Sequence, residues 1–158
     1  MAEEKTPFSA IYNCFLEKIT DDMYMELTQQ DTEKMLKSLF LNAIHFFEFP
    51  RQDIYDFNAE EELYNITLTS EEINIIATYM IVEWLGQQLA SIENVRMKYS
   101  GSDFKFTSQA SHMSKVQSMK KEYERLGFHL QRLYKRRLKD DEGIMRSTFG
   151  SIMENTTK

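Results

Sequence analysis

The chain has 158 residues, enough for one domain with a sizeable core, and its 19 Lys and Arg against 25 Asp and Glu leave a net charge of −6. That acidic balance argues against a general nucleic-acid coat. Five glycines and two prolines suit long helices with few tight turns, and Cys14, the single cysteine, excludes an intrachain disulfide.

Met1 to Phe8 shows no basic-then-apolar signal pattern, which predicts no export. Thr6-Pro7 reads as a helix opening, with Thr6 as cap and Pro7 at the first helical position. Phe8, Ile11, Tyr12, Phe15 and Ile19 form one stripe, predicting a short helix from Pro7 to about Ile19. Cys14, among Tyr12, Phe15 and Leu16, is expected to be a buried, inert thiol. Thr20-Asp21-Asp22 can cap a further turn through Met23 and Leu27. Asp31 then caps a helix whose core face is Met35, Leu36, Leu39, Phe40, Ala43 and Phe47. That helix must end before Pro50, because the residue preceding a proline avoids helical geometry. Residues 48–68 are the least regular stretch, and their aromatics Phe49, Tyr55, Phe57 and Tyr64 are expected to pack over the helix tips.

Thr69 and Glu72 have the spacing of a capping box. Behind them Ile73, Ile76, Ala77, Met80, Ile81, Trp84, Leu85 and Leu89 recur at helical spacing, and Ile75, Tyr79 and Val82 form a second row. Glu83 is the one charged residue between Ile73 and Ile92. A helix apolar around most of its circumference belongs inside a bundle. Asn74, Glu83, Gln87 and Gln88 interrupt the run before it reaches the roughly 20 apolar residues a bilayer needs, so no membrane span is predicted. The helix is expected from Ser70 to about Lys98, roughly 43 Å at 1.5 Å per residue.

Ser100-Gly101 stops it. The alternation Phe104, Lys105, Phe106 gives a short strand-like segment, with Phe104 and Phe106 expected to contact a neighbouring copy. The last long helix is expected from Ser108 or Gln109 to about Lys139, with a seam of Val116, Met119, Tyr123, Leu126, Leu130 and Leu133. Two long helices joined by about ten residues should fold back on each other. Gly127, inside the second of them, suggests a close approach by Trp84 or another helix. Arg132, Lys135, Arg136, Arg137 and Lys139 form a basic end that either complements the helix dipole or meets an acidic surface or phosphates. Asp140-Asp141-Glu142-Gly143 breaks the helix. The tail then carries Ile144, Met145, Phe149, Ile152 and Met153, which are expected to gain order by docking on a partner. The predicted fold is therefore all-α: a helical bundle built on a long antiparallel helix hairpin, with short N-terminal helices and an extended C-terminal tail. Residues 1–139 form its domain and 140–158 the tail.

His45, His112 and His129 stand far apart without ligand-spaced partners, so no metal site is predicted. The chain has no glycine-rich phosphate loop, nucleophile elbow or CxxC. Pairs such as Glu71-Glu72 and Asp140-Asp141 read as caps and solvated charge rather than as an acid and a base held at different pKa values. A protein without catalytic residues or cofactor is expected.

Three segments carry a resemblance: Leu68-Thr69-Ser70-Glu71-Glu72-Ile73, then Val82-Glu83-Trp84-Leu85, then Lys98 through Ala110, KYSGSDFKFTSQA. A weaker fourth piece is Leu39 to Phe49. Together they resemble the small head-tail connector (adaptor, or neck) proteins of tailed bacteriophages, particularly those infecting Gram-positive hosts. The resemblance covers about two thirds of the chain, and the tail from Asp140 departs from it. It implies a structural virion protein made in the host cytoplasm and placed in the neck. There it forms a ring, commonly of twelve copies, between the portal protein and the next neck or tail protein. DNA would pass through without sequence-specific binding. The alternative class is a helical regulatory or interaction module that binds nucleic acid through the basic end of the last long helix.

Overall fold

A computed structural model of the chain describes residues 5–19, 29–98, 106–139 and 145–147; at 95–98, 106–109, 138–139 and 145–147 it describes the backbone course. The protein is mostly helical. In chain order the elements are α1 (Phe8–Lys18), α2 (Gln29–Ala43) with a 3₁₀ turn at Ile44–Phe46, β1 (Phe57–Asn58), β2 (Leu63–Tyr64), α3 (Ser70–Lys98), α4 (Phe106–Arg136), β3 (Arg137–Lys139) and β4 (Met145–Ser147). Among the described residues, no helix is long and apolar enough to cross a membrane.

The start of α3 is held by the capping box. The Thr69 backbone N–H donates to Glu72 Oε2 at 2.7 Å, and the Glu72 N–H donates to Thr69 Oγ1 at 3.3 Å. From Ile75 to Leu85 every residue except Glu83 is buried, Trp84 at 7% exposure among them. A helix buried on all sides needs partners on all sides, and α1, α2 and α4 all pack against α3. The buried Thr78 hydroxyl is satisfied locally by donating to the Asn74 carbonyl at 2.7 Å.

The N-terminal elements differ in detail from the expectation. Pro7, in extended geometry, holds the cap position of α1 and makes no side-chain cap bond. Thr6 instead ties the helix start to the segment after β2. Its Oγ1 accepts from the Leu68 N–H at 2.8 Å, its N–H donates to the Ile66 carbonyl, and its carbonyl accepts from the Tyr64 N–H. Long-range pairing wins because it satisfies three polar groups where a cap satisfies one. Asp31 lies within the first turn of α2 rather than before it. Cys14 is half-buried rather than buried, and desolvation pushes its thiol pKa up, which keeps it a poor nucleophile. Residues 48–68 hold a two-residue hairpin, Phe57 opposite Tyr64 and Asn58 opposite Leu63. It presses Phe57 and Tyr64 against Phe8 and Phe40, with Phe8 and Phe40 ring centroids 4.4 Å apart. Phe49 and Tyr55 from the same stretch are exposed.

Contacts climb α3 as they descend α4: Glu71 with Arg137, Glu72 with Tyr134, Tyr79 with Gln131, Gly86 beside Lys120. The inward line of α4 is Val116, Gly127, Gln131 and Tyr134, flanked by the half-buried Tyr123 and Leu130. Leu126 and Met119, expected in the seam, are exposed. The helix is turned because a Cβ at Gly127 would lie 2.8 Å from Tyr79 Cζ. Only glycine admits that ring, so Tyr79 rather than Trp84 is the group Gly127 accommodates. At its end α4 stops at Arg136, earlier than expected. Arg137–Lys139 pairs antiparallel with Met145–Ser147. Phe106 is the first residue of α4, not part of a strand. The predicted turn from Thr20 through Leu27 and most of the tail lie outside the described residues.

Gly127→Ala should lower stability. Helix propensity favours alanine by about 1 kcal/mol, but overpacking costs roughly 1–3 kcal/mol. The Tyr79 ring has no easy retreat, because it stacks on Phe46 at 5.4 Å and its hydroxyl accepts from Gln131 Nε2 at 2.7 Å. Gly86→Ala is the control: its Cβ would meet Lys120 Cε at an ordinary 3.5 Å. The urea midpoint is expected to fall for Gly127→Ala and to stay level or rise for Gly86→Ala.

Candidate interaction surface

The last turns of α4 hold the connection between α2 and β1. Gln131 is 3% exposed, and its side chain is fully used. Its Oε1 accepts from the Glu48 N–H at 2.8 Å, and its Nε2 donates to the Phe46 carbonyl at 2.8 Å and to the Tyr79 hydroxyl at 2.7 Å. One turn on, Tyr134 donates its hydroxyl proton to Glu72 Oε1 at 2.5 Å and accepts from the Arg51 N–H at 3.1 Å. The Arg51 guanidinium lies 4.1 Å from the centre of the Tyr134 ring and donates to the Tyr134 carbonyl. That carbonyl is among the last four of α4, which have no partner within the helix. Residues 46–51 are thus fastened to α4 by both backbone and side chains.

This bracing presents large apolar side chains to solvent. Phe46, Phe49 and Phe128 are 44%, 49% and 51% exposed. Cations lie over two of them: Lys135 Nζ is 4.1 Å from the Phe49 ring centre, and the Arg132 guanidinium is 5.9 Å from that of Phe128. Such pairs contribute about 0.5–1 kcal/mol at exposed sites. Arg132, Lys135, Arg136 and Arg137 are exposed, at the helix end where cations complement the dipole. Arg137 also pairs with Glu71 in the first turn of α3 at 3.1 Å. Arginine beside exposed aromatics is the composition enriched at protein contacts.

Of the residues singled out from the sequence, Arg132, Arg136 and Arg137 share this end. Phe106 and Met145 are described only in backbone course. Phe104, Lys105, Ile144, Phe149, Ile152 and Met153 lie outside the described residues. The sequence pattern missed Phe46, Phe49 and Phe128, and it missed the polar network behind them. Glu72, expected to be a solvated cap, has no exposure and also accepts from Gln52 Nε2 at 2.8 Å. One signal was available: Gly127, Gln131 and Tyr134 share one face at spacings of four and three. Among the described residues, no group of His, Cys, Asp and Glu is placed to hold a metal ion.

Burial, reinforced by the bond donated to Glu72 and opposed by Arg51, pushes the Tyr134 hydroxyl up to about 12. The fold therefore favours the neutral phenol. Its contribution is complete below about pH 10, where unfolded tyrosine ionises, and is lost as pH rises through about 12. Stability should fall across that window, and Tyr134→Phe should flatten the fall. The same variant should cost about 1–3 kcal/mol at neutral pH by removing a donor from a buried carboxylate. Urea unfolding at several pH values checks both; an alkaline limb unchanged in Tyr134→Phe would exclude this tyrosine as its source.

Compared with models of protein families, with curated proteins and with solved structures, the chain matches none.

Proposed function

We propose that this protein is a head-tail connector subunit of a tailed bacteriophage. On this reading, copies assemble into a ring between the portal protein and the next neck or tail protein, and DNA passes through it without sequence-specific contact. The observation that carries the reading is the braced face of Phe46, Phe49, Phe128, Arg132 and Lys135, a surface suited to protein contact. The three ordered sequence segments that resemble connector proteins point the same way. In a ring, α3 and α4 would act as a rigid antiparallel hairpin, and the basic end of α4 would meet an acidic surface of the portal or of a neighbouring copy. The net charge of −6 would discourage DNA from adhering to a channel wall. The role needs no catalytic group and no cofactor.

The exposed Arg132 and Arg136 also favour a second reading, a helical module that binds nucleic acid through the same helix end. Light scattering separates the two. The connector reading expects a ring-sized particle, alone or with the cognate portal protein. The pair Arg132→Glu with Arg136→Glu should weaken that association about tenfold or more while the chain stays folded, its thermal melt lowered only by the lost dipole and cation–π contributions. A monomer mass under all conditions, with a salt-dependent shift of DNA at micromolar protein, would replace the connector reading by the second.

A further inference from the structure

A half-open groove of about 600 Å³ lies where the C-terminal end of α1 meets α3 and the N-terminal half of α4, lined by residues other than those of the aromatic-basic face. Its floor is Ile81, Trp84, Leu85 and Val116, all buried, with the exposed Met119 on its wall. Lys18, Lys115 and His112 also line it, and among the described lining residues none is a carboxylate. In a chain of net charge −6 the described lining residues thus carry the opposite sign around an apolar floor.

We propose that this groove receives a helical segment of a partner protein, one that carries carboxylates along the edges of an apolar stripe. Length supports a helix. The α4 side runs from His112 to Tyr123, about 16 Å at 1.5 Å per residue and close to three helical turns. Helix-in-groove recognition uses anchors at i, i+3, i+4 and i+7, which that length accommodates. The pairing of charge favours an acidic stripe: Lys18 and Lys115 would face carboxylates at the edges while the apolar anchors cover Trp84 and Val116. Met119 adds an unbranched side chain that adjusts to the shape of an incoming anchor. The proposal does not rest on the ring reading, since a partner of this chemistry could be recognised by either class of protein.

Trp84 is the only tryptophan, so its emission reports on the groove floor. The test titrates the full chain with two synthetic helix-forming peptides that share one Leu and Phe stripe. One carries Glu along its edges, the other Lys, and both lack tryptophan. The expected result is a saturable change of Trp84 emission with the Glu peptide, about tenfold weaker with the Lys peptide. The Glu-peptide affinity should fall as NaCl rises. Combining Lys18→Glu with Lys115→Glu should reverse the order of the two peptides. Should that pair fail to fold, Lys115→Gln, at an exposed position, should reduce the salt dependence instead. Several results would overturn the proposal: no saturable change, equal affinity for both peptides, or a preference untouched by the lysine substitutions. Saturation by laurate where the Glu peptide gives none would reassign the groove to a free amphiphilic anion.

Discussion

Glu72 accepts hydrogen bonds from three separate parts of the chain: Thr69 at the start of its own helix, Gln52 in the connection before β1, and Tyr134 in the last turn of α4. Its side chain has no solvent exposure. A buried carboxylate is tolerated only when its oxygens are occupied by donors, and removing a donor leaves the desolvation cost uncompensated. The start of α3, the α2–β1 connection and the end of α4 must therefore come together at one point. Gln131 repeats the arrangement one turn earlier, joining Tyr79, Phe46 and Glu48. Because the partners lie on different elements, these bonds form only when the elements have docked.

The same bonds account for the exposed aromatics. Phe46 and Phe49 belong to a backbone segment held at Phe46 and Glu48 by Gln131 and at Arg51 by Tyr134, and both stay exposed. Phe46 is stacked parallel to Tyr79, with an interplanar angle of 8°, and shields that ring from solvent while remaining partly exposed itself. Gly127 completes the fit, since a Cβ there would lie 2.8 Å from Tyr79 Cζ. A side chain there would collide with a Tyr79 ring already held by its stacking on Phe46 and its bond from Gln131. The proposed contact face and the buried network are thus one construction seen from outside and from inside.

At the other pole the N-terminal segment is fixed by a different means. Thr6 and Phe8 bond to the backbone between Glu62 and Leu68, and Phe8 enters a cluster with Tyr12, Phe40, Phe57 and Tyr64. Among the described residues the buried Tyr12 and Tyr64 hydroxyls have no hydrogen-bond partner, and burial raises both pKa values. Backbone pairing by Thr6 and Phe8 and the aromatic packing around Phe8 together hold this end.

Local chemistry legible in the sequence decided several features. The capping box at Thr69 and Glu72, the span of α3 and its position at the centre follow from residues within one or two turns of each other. Periodicity and capping depend on neighbours along the chain, so one sequence suffices to read them. The basic end of α4 was legible for the same reason. The orientation of α4 was not. Leu126 outranks Gly127 and Gln131 on any apolar scale, yet it is exposed while they are buried. The preference was decided by Tyr79, which needs a position without a Cβ, and by polar groups at Phe46 and Glu48 that need the Gln131 amide. Those partners are about 50 to 80 residues away in sequence. Similarly, Thr6 reads as a helix cap until Leu68 and Ile66 arrive beside it, and Glu72 reads as solvated until Gln52 and Tyr134 cover it. Sequence alone determined the four described helices to within about three residues at each end and which of them is central; tertiary structure decided which faces they turn, because that choice depends on hydrogen bonds and ring contacts between distant segments.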